Sequence, residues 1–394
     1  MIAHYDAVVI GAGPAGSAAA TLLATAGRRV LLVEKDRFPR SKVCGEFLSA
    51  QALPLFERLG VARQIEACGP EEIRAGRLEL RGGSSVAFRL DKPALGLSRY
   101  RLDYLLAAHA QVAGAQVWFG TRVLSASPQN GGFRIQCAPE AHESEVRAAA
   151  VIGAWGRWDA LDRNLGRSFL GDRARYFGWS RDYENDPALA GEVRLYAFRG
   201  GYCGLSRVEG GTVNLAGVVS ASCHKRLGSS WDAVMVHARR ENSALNSDLS
   251  TLSPGPIGFL GTGPVFFTRK PCVERGILMA GDAAGFLDPF SGQGQTMALA
   301  SGMLAAETIE RALGGEIPLE ALPGEYARAW RLRFARRFGW SAVFRSLMLN
   351  PVLASAAAWL GGDRLVQSAI LRLQNQSDHR SIGSSGDCVG SNSH

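Results

Sequence analysis

Two glycine-rich segments carry the residues whose types and spacing point to chemistry. The first is Gly11-Ala12-Gly13-Pro14-Ala15-Gly16, followed further along by Glu34 and Lys35. Gly11 permits a tight turn, Gly13 lets a pyrophosphate approach the backbone, and Gly16 lets a helix pack closely on a strand. A helix opening at Pro14 offers free N–H groups and the positive end of its dipole to phosphates. Glu34 can accept hydrogen bonds from ribose hydroxyls, and its charge repels a 2′-phosphate. A lone glycine loop is often only a turn. Here the turn, the helix and the acid stand in the register of a dinucleotide site.

The second segment runs from Gly281-Asp282 through Phe290, Gly292 and Gly294 to Gln295. An aspartate at the C-terminal end of a strand can bind the hydroxyls of a ribityl chain. A helix starting near Gly294 sets its positive end beside the N1/O2 edge of a flavin, which becomes negative on reduction. Together the two segments indicate FAD rather than NAD. The seven histidines have no metal-like spacing and the seven cysteines form no C-x-x-C pair, so no metal site is expected. An odd cysteine count without such a pair also fits a reducing compartment.

These residues need a scaffold. Residues 5–10 are a short apolar run suited to a buried parallel strand, 14–26 an Ala-rich helix, and 29–34 a second buried strand. That is one βαβ unit. A helix is expected at 102–112 and strands at 116–119 and 151–154. Antiparallel strands follow at 193–198, 202–205 and 212–219, separated by glycine-rich turns. The chain then returns to a strand at 276–280 and a long helix at 294–313. The expected fold class is α/β, a Rossmann-type FAD-binding domain with an inserted β-sheet substrate domain and a helical C-terminal region. The FAD-binding domain takes 1–75, 99–165 and 274–315, and the substrate domain takes 76–98 and 166–273. Helices fill 316–376, and the Ser/Gly/Asn-rich tail 377–394 is expected to be disordered.

At 394 residues the chain exceeds what one core usually serves. Its hydrophobic and charged fractions, 46% and 20%, are those of a soluble globular protein. The net charge of +8 favours anionic partners. With no nucleic-acid motif and no compact Lys/Arg run, nucleic acid is not among them. No apolar run reaches the roughly 18 residues that span a bilayer, and the N-terminus enters a strand directly. A cytoplasmic protein is expected, at most peripheral to a membrane.

The two glycine segments, together with Lys42-Val43-Cys44-Gly45-Glu46 and Ser98-Arg99 with Asp103, carry a resemblance. Over most of residues 1–315 the chain resembles the geranylgeranyl reductase-like branch of the para-hydroxybenzoate hydroxylase superfamily of flavoproteins. The resemblance implies that Ala15 and Glu34 contact the adenosine half of FAD and that the Val123 backbone meets the adenine side. It places Arg99 at the pyrophosphate and Asp282 at the ribityl or pyrophosphate region. Gly292, Gly294 and Gln295 would lie at the isoalloxazine edge, with Cys44 and Gly45 approaching the ring from the loop after the second strand. Cys44, Phe290 and Gly292 are therefore the flavin-proximal candidates. A surface arginine and a small buried cysteine are the plain alternatives for Arg99 and Cys44.

The chain departs from this pattern twice. Trp155 stands in Ala154-Trp155-Gly156 where related hydroxylases carry an Asp-Gly pair that helps bind FAD and nicotinamide. The electron donor is therefore either NAD(P)H or a partner reductase. Gly201-Tyr202-Cys203-Gly204-Leu205-Ser206 keeps the tyrosine of the reductases' Gly-Tyr-x-Trp-x-x-Pro motif but not its Trp or Pro. The expected substrate is a bulky apolar or aromatic small molecule, enclosed by Phe266, Phe267, Phe286, Phe290 and Trp179. Monooxygenation through a C4a-(hydro)peroxide is the leading expectation. The alternative is reduction or dehydrogenation of C=C bonds in an isoprenoid-like or carrier-bound substrate.

Between Tyr326 and Arg345 stand Arg328, Arg331, Arg333, Arg336, Arg337 and Arg345 with no acid among them. Tyr326, Trp330, Phe334 and Phe338 recur every four residues along one helical face. Either that face packs and the arginines are solvated, or the arginines dock an acidic carrier protein or an anionic membrane surface.

Overall fold

The computed structural model describes residues 2–139, 141–171 and 175–349, with side chains described to Gly339. The expected helix beyond 349, the side chain of Arg345 and the tail 377–394 lie outside the described residues.

Val8, Val9, Leu31, Leu32, Val151, Ile152 and Leu278 are fully or almost fully buried, as strands covered on both faces must be. They belong to a sheet in the order Val273–Glu274, Ile277–Met279, Glu145–Gly153, Ala3–Ile10, Val30–Val33, Gln116–Trp118. The central pairs are parallel, with Ile10 opposite both Val33 and Gly153, and Met279 opposite Gly153. Ile10, Val33, Gly153 and Met279 close their strands, so the loops that follow gather at one edge of the sheet, the ligand edge of open α/β sheets. The helices Pro14–Thr25 and Gly294–Leu313 share the buried core of this sheet.

One part of this sheet was not legible beforehand. The hairpin Val123–Gln129 and Gly132–Cys137 joins Glu145–Gly153 antiparallel, burying Val123, Ile135 and Cys137.

The second sheet runs Leu260–Val265, Tyr176–Tyr183, Val213–Ser220, Gly201–Arg207, Glu192–Phe198, Glu71–Glu79, Ser85–Gly96, Phe47–Leu48. All its pairs are antiparallel except Glu192–Phe198 with Glu71–Glu79. Phe47–Leu48 and most of Glu71–Glu79 come from the stretch assigned above to the cofactor domain. Within the stretch read as alternating strands, Ala221–Arg226, Trp231–Glu241 and Ser243–Ser250 are helices. Ser230 and Asn242 cap the latter two, and Val234, Met235, Leu245 and Leu249 pack beneath the sheet's Trp179, Tyr196 and Leu215.

The helix Leu322–Leu349 buries Tyr326, Trp330 and Phe334 in the first core, and the Tyr326 hydroxyl donates to the Met279 carbonyl at 2.6 Å. Arg328, Arg331 and Arg336 face solvent. Arg337 departs from the solvated pattern. It turns inward and donates to Gln293 Oε1 at 3.4 Å. No helix among the described residues is long and apolar enough to cross a membrane.

Candidate active site

A deep cavity opens where the ends of the parallel strands meet the second sheet. Gly11, Gly13, Ala15, Glu34, Lys35, Cys44, Gly45, Arg99, Val123, Asp282, Phe290, Gly292, Gly294 and Gln295 all line it. Residues from five separate parts of the chain are thus brought together. Gly16 alone among the proposed cofactor residues does not line the cavity. A Cβ there would lie 1.8 Å from the Gly11 carbonyl oxygen, so its role is the close packing of helix on loop.

The floor is built by backbone constraint. Gly11 has φ +103°, and a Cβ on it would fall 2.4 Å from the Ala154 carbonyl. Only glycine fits there. Gly292, at φ +63°, abuts the Phe47 ring in the same way. Glu34 is buried and accepts N–H bonds from Ala12 at 2.8 Å and Asp36 at 3.0 Å, which ties the glycine loop to the end of the second strand.

Arg99 is no surface residue. Its guanidinium makes two bonds to Asp103, at 2.6 and 2.7 Å, and Asp103 also accepts from Arg40 at 2.8 Å. Burial alone would lower the Arg99 pKa, but the Asp103 carboxylate outweighs it and holds the charge. Beside it, burial and the charges of Arg40 and Arg99 bring Lys42 down to about 8.

Cys44 Sγ accepts N–H bonds from Glu46 at 3.3 Å and Gln295 at 3.5 Å, and burial raises its pKa, so the thiol stays protonated. Glu46 has φ +53°, uncommon outside glycine, and its Oε1 accepts the Arg99 N–H at 2.8 Å. Burial lifts its pKa to about 8, and Asp182 and Glu209 add to the rise. Glu46 is a site residue that the sequence motifs do not mark as one. Its signal was a charged residue in a glycine-flanked loop beside a cysteine.

The wall away from the glycine loop is apolar. Phe88, Val193, Leu195, Val218, Trp179, Phe286 and Phe290 form it, with Gly178, Gly204 and Ala216 leaving depth between them. The expectation for Phe266 and Phe267 fails. Phe266 packs on Phe169 at 5.6 Å, and Phe267 stacks behind Phe286 at 5.5 Å. Tyr202 donates to Asp288, and the Phe290 N–H reaches both, at 3.2 Å to the tyrosine hydroxyl and 3.1 Å to the carboxylate. This contact joins the second sheet to the 282–294 loop.

The model of an FAD binding domain matches residues 4–190. A menaquinone reductase of Mycolicibacterium smegmatis is 30% identical over 89% of this chain and 86% of its own length. A digeranylgeranylglycerophospholipid reductase of Thermoplasma volcanium is 30% identical over 84% of this chain and 85% of its own. The chain belongs to the geranylgeranyl reductase-like branch of the FAD-dependent oxidoreductases. The myxobacterial chondrochloren halogenase shares the fold of this oxidoreductase with a TM-score of 0.78 at 20% identity, over 94% of this chain and 96% of that one. A geranylgeranyl bacteriochlorophyll reductase-like protein of Thermoplasma acidophilum does so at 0.70 and 22%, over 95% and 93%.

The oxidoreductase's cavity fits FAD on its own geometry. The space over Gly13 is clear up to Arg99 Nη2, 3.6 Å from where a Cβ would stand. The Asp282 side chain has no hydrogen bond or ion pair among the described residues, and Gln295 Oε1 is buried without one. Both are acceptors that a ribityl chain or a flavin edge can satisfy.

Proposed function

We propose that this oxidoreductase reduces a carbon–carbon double bond in a bulky, apolar, lipid-like substrate, with FAD held across the glycine loop. Gly11, Gly13 and Arg99 would bind the pyrophosphate, Glu34 and Val123 the adenosine side, Asp282 the ribityl chain, and Gly292, Gly294 and Gln295 the ring edge. Bound FAD, once reduced, supplies the hydride.

The observation that carries this reading is the meeting of an apolar wall with a buried thiol and a buried carboxyl, whose burial favours their neutral forms. Saturating a double bond takes a hydride and a proton. Cys44 and Glu46 line the cavity and hold their protons at neutral pH, one a thiol raised by burial, the other a carboxyl at about 8. Either can deliver a proton at a carbon facing the ring. Phe88, Leu195, Phe286 and Phe290 bind apolar substrate and keep water out. Support also comes from the two 30%-identical relatives, which are named as reductases of a quinone and of a phospholipid. This reading reverses the leading expectation from sequence, because the lost Trp and Pro of the substrate motif leave the apolar wall intact.

The outer face of the C-terminal helix belongs to the same reading. Arg328, Arg331 and Arg336 flank Leu332, which is 77% exposed, and the helix packs through Phe338 against the position of Gly285 in the cavity loop. An anionic bilayer presenting the substrate is the partner this face suits.

The test is product mass with a panel of polyprenyl quinones and polyprenyl lipids under reducing conditions. A gain of two hydrogens supports reduction. Gain of one oxygen atom, coupled to oxygen consumption, identifies a monooxygenase instead.

A further inference from the structure

Two buried cations that the reading above leaves unused stand directly behind the Asp282 turn. Lys270 is 3% exposed and Arg167 2%. Lys270 Nζ donates to the Asp282 carbonyl at 2.9 Å and to the Arg157 carbonyl. Arg167 Nη2 donates to the Ala283 carbonyl at 2.9 Å and to the Pro271 carbonyl at 2.8 Å. Consecutive peptides of one turn are thus each held by a cation. From the other side, the Gly281 N–H donates to Ser301 Oγ at 2.8 Å. The ring of Phe169 lies under both charges, 4.2 Å from Lys270 Nζ and 5.1 Å from Arg167 Cζ.

The two cations differ in one respect. Arg167 has a counterion, since Asp162 faces it at 2.8 Å with both side chains fully buried. Among the described residues, Lys270 touches carbonyl oxygens and an aromatic face and no carboxylate. A buried ammonium without a contacting carboxylate is costly, so what its charge and geometry do is the question it raises. Its bonds join the loop after Gly153 to the turn after Met279, and Arg157 and Asp282 of those two loops line the cavity.

We propose that Lys270 and Arg167 form a cationic staple that sets the Asp282 turn in its flavin-binding conformation, and that the charge on Lys270 strengthens the hold on the anionic cofactor. This rests on the FAD reading of the site. Both are positioning residues, acting through the backbone of Asp282 and Ala283.

The charge on Lys270 makes the hold pH-dependent. Burial lowers its pKa to about 8. Asp162 and Asp282 oppose that shift, and Arg167 and Arg157 reinforce it. The flavin-bound state favours the charged amine, so FAD affinity falls as pH rises through that value. Stability of the apoprotein has the opposite sign. A lysine whose pKa is depressed on folding costs stability while charged, and the cost is relieved between the folded and the unfolded pKa. Lys42 and Glu46 titrate in the same region and line the same cavity, so the lysine variants are needed to isolate Lys270.

The experiment is FAD titration of the apoprotein by flavin fluorescence, from about pH 6 to about pH 9.5, alongside thermal unfolding of the same samples. For Lys270→Met we expect FAD affinity to fall roughly tenfold or more at the acid end, with a shallower pH profile and no loss of apoprotein melting temperature. Lys270→Arg, charged throughout, should restore affinity and keep the shallow profile. The proposal is overturned if Lys270→Met binds FAD as wild type does across the range, or if Lys270→Arg retains the full wild-type pH step. Should Lys270→Met fail to fold, the arginine variant alone decides by its profile. A wild-type apoprotein that takes up no FAD would instead overturn the parent reading.

Discussion

Gly302 sits buried in the Gly294–Leu313 helix where that helix crosses Pro14–Thr25, and Gly302→Ala sets two effects against each other. Alanine is the better helix former by about 1 kcal/mol, so on local grounds the change stabilises. The new Cβ, however, would stand 2.0 Å from the Ala15 carbonyl oxygen, 2.7 Å from its carbon and 3.0 Å from its Cα. Ordinary contact begins at 3.4 Å, so the shortfall against the oxygen is 3.4 − 2.0 = 1.4 Å. All three neighbours are backbone atoms and no rotamer can relieve them. Overpacking of this kind costs about 1–3 kcal/mol, here near the upper end. The clash wins, leaving a net loss of about 1–2 kcal/mol. The helices must also separate, and Ala15 belongs to the turn at which the pyrophosphate is expected. FAD affinity should therefore fall about tenfold, or about 1.4 kcal/mol. Thermal unfolding of the apoprotein and FAD titration by fluorescence quenching measure both losses. A Gly302→Ala protein of equal or higher melting temperature with unchanged FAD affinity would refute the reasoning.

Other outcomes follow from the same geometry. Gly13→Val should leave the apoprotein folded, since its Cβ meets nothing nearer than Arg99 Nη2 at 3.6 Å, yet abolish FAD retention; circular dichroism with bound-flavin absorbance checks it. Asp162→Ala strands the fully buried Arg167 charge and should cost about 3–5 kcal/mol in a denaturant titration. Glu46 favours its neutral form in the folded state, up to about 8, so it subtracts stability as pH rises from its unfolded value to that point. Glu46→Gln should flatten that loss, on the order of 5 kcal/mol, when melting is compared at acid and alkaline pH. Reduction of the flavin by NADPH alone should be slow, with Trp155 in place of the resembled acid; rapid-mixing absorbance showing fast stoichiometric reduction would contradict this. Co-sedimentation with anionic vesicles should exceed that with neutral ones at low salt and weaken steeply as salt is added, and binding to an acidic carrier protein instead would redirect the partner.

Much of the cofactor half was legible because short-range rules govern it. The glycine positions are fixed by single backbone contacts, such as Gly11 on the Ala154 carbonyl, and the buried strands read as continuous apolar runs. The drift of Tyr326, Trp330 and Phe334 along one face likewise needed only helical periodicity. What sequence left hidden depends on long-range pairing. The hairpin at 123–137 is short, and half of its side chains are exposed. Lys270 carries no signal in the sequence, because nothing local marks carbonyls from residues 157 and 282 as its partners. Phe266 and Phe267 do not line the cavity because their rings pack on Phe169 and Phe286, whereas Phe88 and Leu195 reach the wall from strands whose pairing is long-range. In sequence, Trp155 is the loss of an acid from the resembled motif. In the fold its indole N–H donates to Asp162 at 3.1 Å, the same carboxylate that holds Arg167.

The most direct test of the proposed reaction is a single turnover without oxygen. The protein is loaded with FAD, reduced chemically, freed of excess reductant and mixed anaerobically with a polyprenyl quinone or polyprenyl lipid. Return of the oxidised-flavin absorbance with formation of one equivalent of saturated product is the predicted result. Flavin that stays reduced until air is admitted, and then yields an oxygenated product, would contradict it.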